Sequence, residues 1–138
     1  MSYIEKREDD IKQAFWARFK VLYPAYFVLS HQEVRKAGYP DNSVSGYAKT
    51  SWWEFKHATP NFLSPMIQEM TCARLARFSY CRYIIFYESR EQLQTLIYHP
   101  RMILGNKGVF KLLGEFEVCF NGFAFDDVAA FINNVHHQ

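Results

Sequence analysis

Asp41, Glu54 and Lys56 have the types and spacing that phosphate chemistry requires. Gly46, Tyr47, Ala48 and Lys49 lie near the middle of the segment between the two acids. If these four form a hairpin loop, Ser45 pairs with Thr50, Ser43 with Trp52, and Asp41 with Glu54. Directly opposed residues of an antiparallel pair share a face, with Cβ atoms about 4.5 to 5.5 Å apart. Two carboxylates so placed repel unless something positive sits between them. A divalent cation is the natural occupant, because Mg²⁺ takes hard oxygen ligands and commonly uses one or two carboxylates plus water and a substrate phosphate. Lys56 reaches over the same face, where its ammonium would hold an attacking water or stabilise charge developing on the phosphate. Acting as a base would require burial to depress its pKa.

The elements that must position these residues can be read from periodicity. Ile4 to Lys20 reads as an amphipathic helix, with Ile4, Ile11, Phe15, Phe19 and Leu22 at helical spacing, and Pro24 stops it. Tyr26 to Val34 reads as a strand, and residues 38–42 supply turn chemistry at its far end. Thr50 to Lys56 reads as a strand with Trp52, Glu54 and Lys56 on one face and Trp53 and Phe55 on the other. Ser64 and Pro65 suit a helix start, with the helix running to about Phe78. Arg82 to Glu88 is an almost continuous apolar run, expected for a central strand covered on both faces. Gln94 to Tyr98 and Glu115 to Phe120 read as short strands, and Asp126 to Val135 as a closing helix with an acid near its N-terminus. The expected class is α/β or α+β, a mixed sheet with helices against it.

The run Gly38-Tyr39-Pro40-Asp41, followed by Trp52-Trp53-Glu54-Phe55-Lys56, resembles the PD-(D/E)XK nuclease motif, in which an Asp and an acid-x-Lys lie on adjacent strands. Ser64-Pro65-Met66-Ile67-Gln68 is similar to the Ser and Gln that accompany that motif in the VRR-type and Holliday-junction-resolvase-like branches. The resemblance covers Glu8 to about Tyr87. It implies a restriction-endonuclease-like mixed β-sheet flanked by helices; the tail after Arg90 has no counterpart in it and reads from its own pattern as a short strand-rich C-terminal extension. It further implies that Asp41 and Glu54 ligate Mg²⁺ or Mn²⁺, with the backbone carbonyl of Phe55 and the carboxylate of Glu8 completing the site. Lys56 would serve the nucleophile, and Gln68 would orient Lys56, the substrate or a water. The segment Phe78-Ser79-Tyr80-Cys81 departs from the pattern, since VRR-type members often place a glycine there. The function implied is metal-dependent hydrolysis of DNA phosphodiesters, branched substrates included, in recombination, repair or mobile-element processing, and paired cuts would need a homodimer.

Several residues also have plainer readings. Glu8 suits a solvated acid at a helix start beside Glu5, Asp9 and Asp10, and Gln68 a solvent-facing side chain. His57 alternates onto the face opposite Lys56 and reads as structural rather than catalytic. Arg74 and Arg77 share a helix face, as phosphate contacts or as solvated surface. His136 and His137 are expected in a fraying terminus, and residues 105–108 read as a turn.

Length, 138 residues, and composition, 49% hydrophobic with 22% charged, point to one domain spanning 1–138 and exclude a disordered chain. A net charge of +2 does not by itself select nucleic acid. The charged opening and the lack of any apolar run of spanning length lead to the expectation of a cytoplasmic protein without membrane partners. Cys72, Cys81 and Cys119 show no C-x-x-C spacing and are expected to be buried, reduced thiols. The competing function is a non-catalytic module on the same fold that binds nucleic acid or a protein through its aromatic-rich surface.

Overall fold

The computed structural model of the chain describes residues 3–31, 39–60, 69–100 and 116–138, with side chains from residue 7 in the first stretch and from residue 74 in the third. Ser64, Pro65, Gln68 and the expected turn at 105–108 lie outside the described residues. Helix α1 (Tyr3–Leu22) forms because Ile11, Phe15 and Phe19 recur every four residues, and all three are buried. It ends just before Pro24, whose ring disfavours helix in the residue ahead of it. Strands β1 (Phe27–Ser30), β2 (Asn42–Gly46) and β3 (Lys49–Ala58) follow. Helix α2 (Glu69–Phe78) leads to β4 (Tyr80–Glu88), and β5 (Leu93–Tyr98), β6 (Val118–Asn121) and α3 (Phe125–His136) complete the chain.

The six strands form one sheet in sequence order, antiparallel throughout except that β3 and β4 run parallel across the α2 connection. The class is therefore α/β, a mixed sheet flanked by helices. One core lies between the sheet and helices α1 and α3, where Phe15, Trp53, Phe55, Phe86 and Ile132 are fully enclosed. A second apolar cluster on the opposite face joins Cys81, Tyr83, Ile85, Leu96 and Tyr98 to Leu75 of α2. Strand β4 is buried on both faces, as its apolar run leads one to expect. Cys81 is a buried free thiol and Cys119 a half-buried one; the side chain of Cys72 lies outside the described residues. Among the described residues no helix is long and apolar enough to cross a membrane.

The register of the β2–β3 hairpin is the one its sequence implies, with Ser45 opposite Thr50 and Ser43 opposite Trp52. The loop is tighter than four residues: Gly46 pairs with Lys49, leaving Tyr47 and Ala48 as a two-residue turn. Both have positive φ, 55° and 61°, as a type I′ turn requires. Neither residue favours that region, so the turn is strained. Gly46 is needed because a Cβ there would lie 2.5 Å from Cδ1 of Tyr26. Replacing Ala48 by Gly is expected to raise stability by about 1 kcal/mol after allowing for the extra freedom of glycine in the unfolded chain. Denaturant unfolding measures this, and no gain would mean that the turn is not strained.

His136 corrects the expectation of a fraying terminus, for it is buried at the root of this hairpin. The Trp53 indole N–H donates to Ser51 Oγ at 2.8 Å, and Ser51 Oγ lies 2.8 Å from His136 Nε2. His136 Nδ1 donates to the Gly46 carbonyl at 2.9 Å. Because an indole only donates and a carbonyl only accepts, the neutral ring accepts the Ser51 proton at Nε2, and each of these polar groups is satisfied. Lys49 adds a hydrogen bond from Nζ to the Val135 carbonyl, 2.7 Å, at the negative end of α3.

Candidate functional site

The site begins where β2 ends. Its ladder with β3 stops at the Asn42–Trp53 pair, while β3 continues to Ala58. Alternate residues of a strand direct their backbone groups to the same edge, so beyond Trp53 the N–H groups of Phe55 and His57 have no strand to meet. Two carboxylates take its place. Phe55 N–H donates to Asp41 Oδ2 at 2.9 Å, and His57 N–H donates to Glu8 Oε2 at 3.2 Å. The N–H and carbonyl of one strand residue point to the same edge, which directs the Phe55 carbonyl toward these acids.

Asp41 and Glu54 are also joined to each other. They do not oppose one another as a ladder pair; instead the Asp41 N–H donates to Glu54 Oε2 at 3.0 Å. The Asp41 carbonyl accepts the His31 N–H at 2.8 Å. Each acid thus has one oxygen fixed by a backbone N–H and the other turned toward an ammonium. Lys12 Nζ lies 3.7 Å from Asp41 Oδ1 and 3.6 Å from Asp9, and Lys56 Nζ lies 3.5 Å from Glu54 Oε1. Glu54 is 3% exposed, so its carboxylate is enclosed, with a second apolar cluster on the same side of the sheet.

Burial pushes the pKa of Glu8 from 4.5 up to about 7, and Asp41 adds to the rise, while Lys56, the His57 N–H and Lys12 oppose it. Four carboxylates, from Glu8, Asp9, Asp41 and Glu54, meet the two ammonium groups of Lys12 and Lys56, a surplus of two negative charges when all are ionised. An all-oxygen donor set with that surplus fits a hard divalent cation. Among the described residues no three His, Cys, Asp or Glu side chains group closely enough to hold an ion unaided. An ion held by Asp41 and Glu54 would therefore draw its remaining ligands from the Phe55 carbonyl, water and substrate, in keeping with the habit of Mg²⁺.

The chain thus brings Asp41, Glu54, Phe55, Lys56 and Glu8 to one place, and Gln68 lies outside the described residues. His57 serves structure: its fully buried ring places Nε2 2.9 Å from Glu88 Oε2, and Arg7 reaches the same carboxylate at 3.4 Å. These contacts dock the start of α1, and with it Glu8, against β3. Arg74 and Arg77 are exposed on α2. Lys12 was missed by sequence reasoning, although its position one helical turn beyond Glu8 places both on one face. An open groove of about 510 Å³ on the α1 side is lined by Lys12, Lys20 and Asn42, the neighbour of Asp41. No known protein family matches the chain, and no curated protein does.

Proposed function

We propose that the chain is a metal-dependent nuclease of the PD-(D/E)XK superfamily, with a restriction-endonuclease-like fold, that hydrolyses DNA phosphodiester bonds. The observation that carries this reading is the convergence of Asp41 and Glu54, each fixed through a backbone N–H, with Lys56 3.5 Å from Glu54. The helix, three antiparallel strands, helix and parallel strand that bear them agree with it.

Asp41 and Glu54 would hold Mg²⁺ or Mn²⁺, with the Phe55 carbonyl as a further oxygen and Glu8 reaching the ion through a bound water. When bound, the ion supplies a Lewis acid for phosphate oxygens and acidifies water. Lys56 is placed to donate to a water or to the phosphate, and Lys12 to neutralise Asp41 when no ion is there. Cleavage of linear or branched DNA in recombination, repair or mobile-element processing suits such a site, and paired cuts would take two copies of the chain.

The alternative, a non-catalytic module binding nucleic acid or protein, draws on the lack of a three-acid group among the described residues. A cleavage screen separates the two. Purified protein is expected to cut linear, single-stranded, flap or four-way DNA with Mg²⁺ or Mn²⁺ and to stop when chelator is added. No cutting of any substrate, with no thermal shift on adding either metal, would overturn the nuclease reading in favour of the module.

A further inference from the structure

Trp52 shares the strand face of Glu54 and Lys56, and Tyr39 lies two residues before Asp41. Their rings stack at 6.0 Å with planes 26° apart, and His31 lies 5.0 Å from Trp52 and 6.2 Å from Tyr39 with similar tilts. His31 is held in place by Ser43 Oγ, 2.8 Å from its Nε2. The cluster is open to solvent: Tyr39 is 40% exposed, and Trp52 and His31 are half-buried. Across the sheet the row continues from Trp52 through Ser43 to Leu29, 43% exposed. Along β3 it leads to Thr50, which lines a groove of about 540 Å³ with Lys49, Arg77, Arg82 and His99, Arg82 being paired with Glu117.

We propose that Tyr39, Trp52 and His31 form a stacking platform for an unpaired nucleotide beside the acids, and that the basic groove receives the phosphates of the same strand. The proposal rests on the nuclease reading and narrows its substrate to single-stranded or locally unpaired DNA. Aromatic faces stack on bases that are splayed out, whereas the bases of a duplex are already stacked on one another. Beyond Thr50, Lys49, Arg77 and Arg82 are set against the one carboxylate of Glu117, a positive balance that favours a polyanion over an apolar peptide or a second copy of this face.

The test is binding of a fluorescein-labelled oligothymidylate and of a blunt duplex to the full chain in chelator, where no cut intervenes. Single strand is expected to bind more tightly, and Tyr39→Ala or Trp52→Ala to weaken it roughly 5- to 100-fold while leaving duplex binding unchanged. Trp52→Phe and Tyr39→Phe should retain most of the affinity, which a folding defect would not predict for the alanine variants. Trp16 and Trp53 are buried, so oligothymidylate should quench chiefly Trp52, and Trp52→Phe should remove the quenching. Equal affinity for both forms, indifference to Tyr39→Ala, or self-association abolished by Trp52→Phe would overturn the platform. Metal-dependent cutting with any of those results would leave the nuclease reading standing, and selective single-strand binding without cutting would leave only the platform.

Discussion

Replacing Glu54 by Gln is expected to lower metal-dependent cleavage roughly a thousandfold while the protein stays folded, because the loss falls on charge rather than shape. A glutamine carbonyl can still accept the Asp41 N–H that Glu54 Oε2 accepts at 3.0 Å. What disappears is the negative charge facing Lys56. Asp41→Asn follows the same logic, since its amide oxygen can still accept the Phe55 N–H. Alanine is the poorer probe at Asp41, for it would leave that buried N–H without its partner at a cost of about 1–3 kcal/mol. Lys56→Met removes the ammonium from the same place and is expected to fall as far. Cleavage rates at saturating Mn²⁺, set beside unfolding curves, separate chemistry from stability. Undiminished rates in folded Glu54→Gln would locate the activity elsewhere.

Glu8→Gln is expected to stabilise the metal-free protein at pH 8 by about 2–3 kcal/mol and to change little at pH 4.5. The native pKa of Glu8 is raised from 4.5 to about 7, chiefly by burial. The native state therefore binds this proton more tightly than the unfolded chain does. Stability from the neutral carboxyl is fully present below pH 4.5 and is lost as the pH climbs through 7, where the buried carboxylate must ionise. Glutamine has no such transition and keeps an oxygen for the His57 N–H. Mg²⁺ or Mn²⁺ should restore the wild type at pH 8, with release of a proton near pH 7, and the variant should gain much less. Denaturant unfolding at the two pH values, with and without metal, is the measurement. An equal effect at both would mean that Glu8 is an ordinary solvated acid.

Local signals were strong where the chain repeats its pattern. The four-residue spacing of Ile11, Phe15 and Phe19 defines α1, the apolar run from Tyr83 to Tyr87 marks an interior strand, and the alternation around Glu54 separates Trp53 and Phe55 from the charged pair. The hairpin register was equally legible, because a turn centred between Ser45 and Thr50 allows one alignment that matches the faces. The tight turn was not, since Tyr47 and Ala48 carry no preference for positive φ. The bond between the Asp41 N–H and Glu54 was hidden for a different reason: it depends on β2 stopping short of the end of β3, which pairing in three dimensions decides. The pairing of Lys12 with Asp41 and the Tyr39–Trp52–His31 cluster each combine distant segments that no spacing rule links, although helical spacing does place Lys12 beside Glu8. His136 was misjudged because position near a terminus says nothing about the polar groups a side chain meets there.

The attachment of His136 to Ser51 and Gly46 has a temporal meaning. These contacts join residues 85 and 90 positions apart, so during synthesis the acids leave the ribosome long before the helix that anchors their hairpin. A chain made only as far as β3 would carry Asp41 and Glu54 on an unanchored ribbon until α3 has followed.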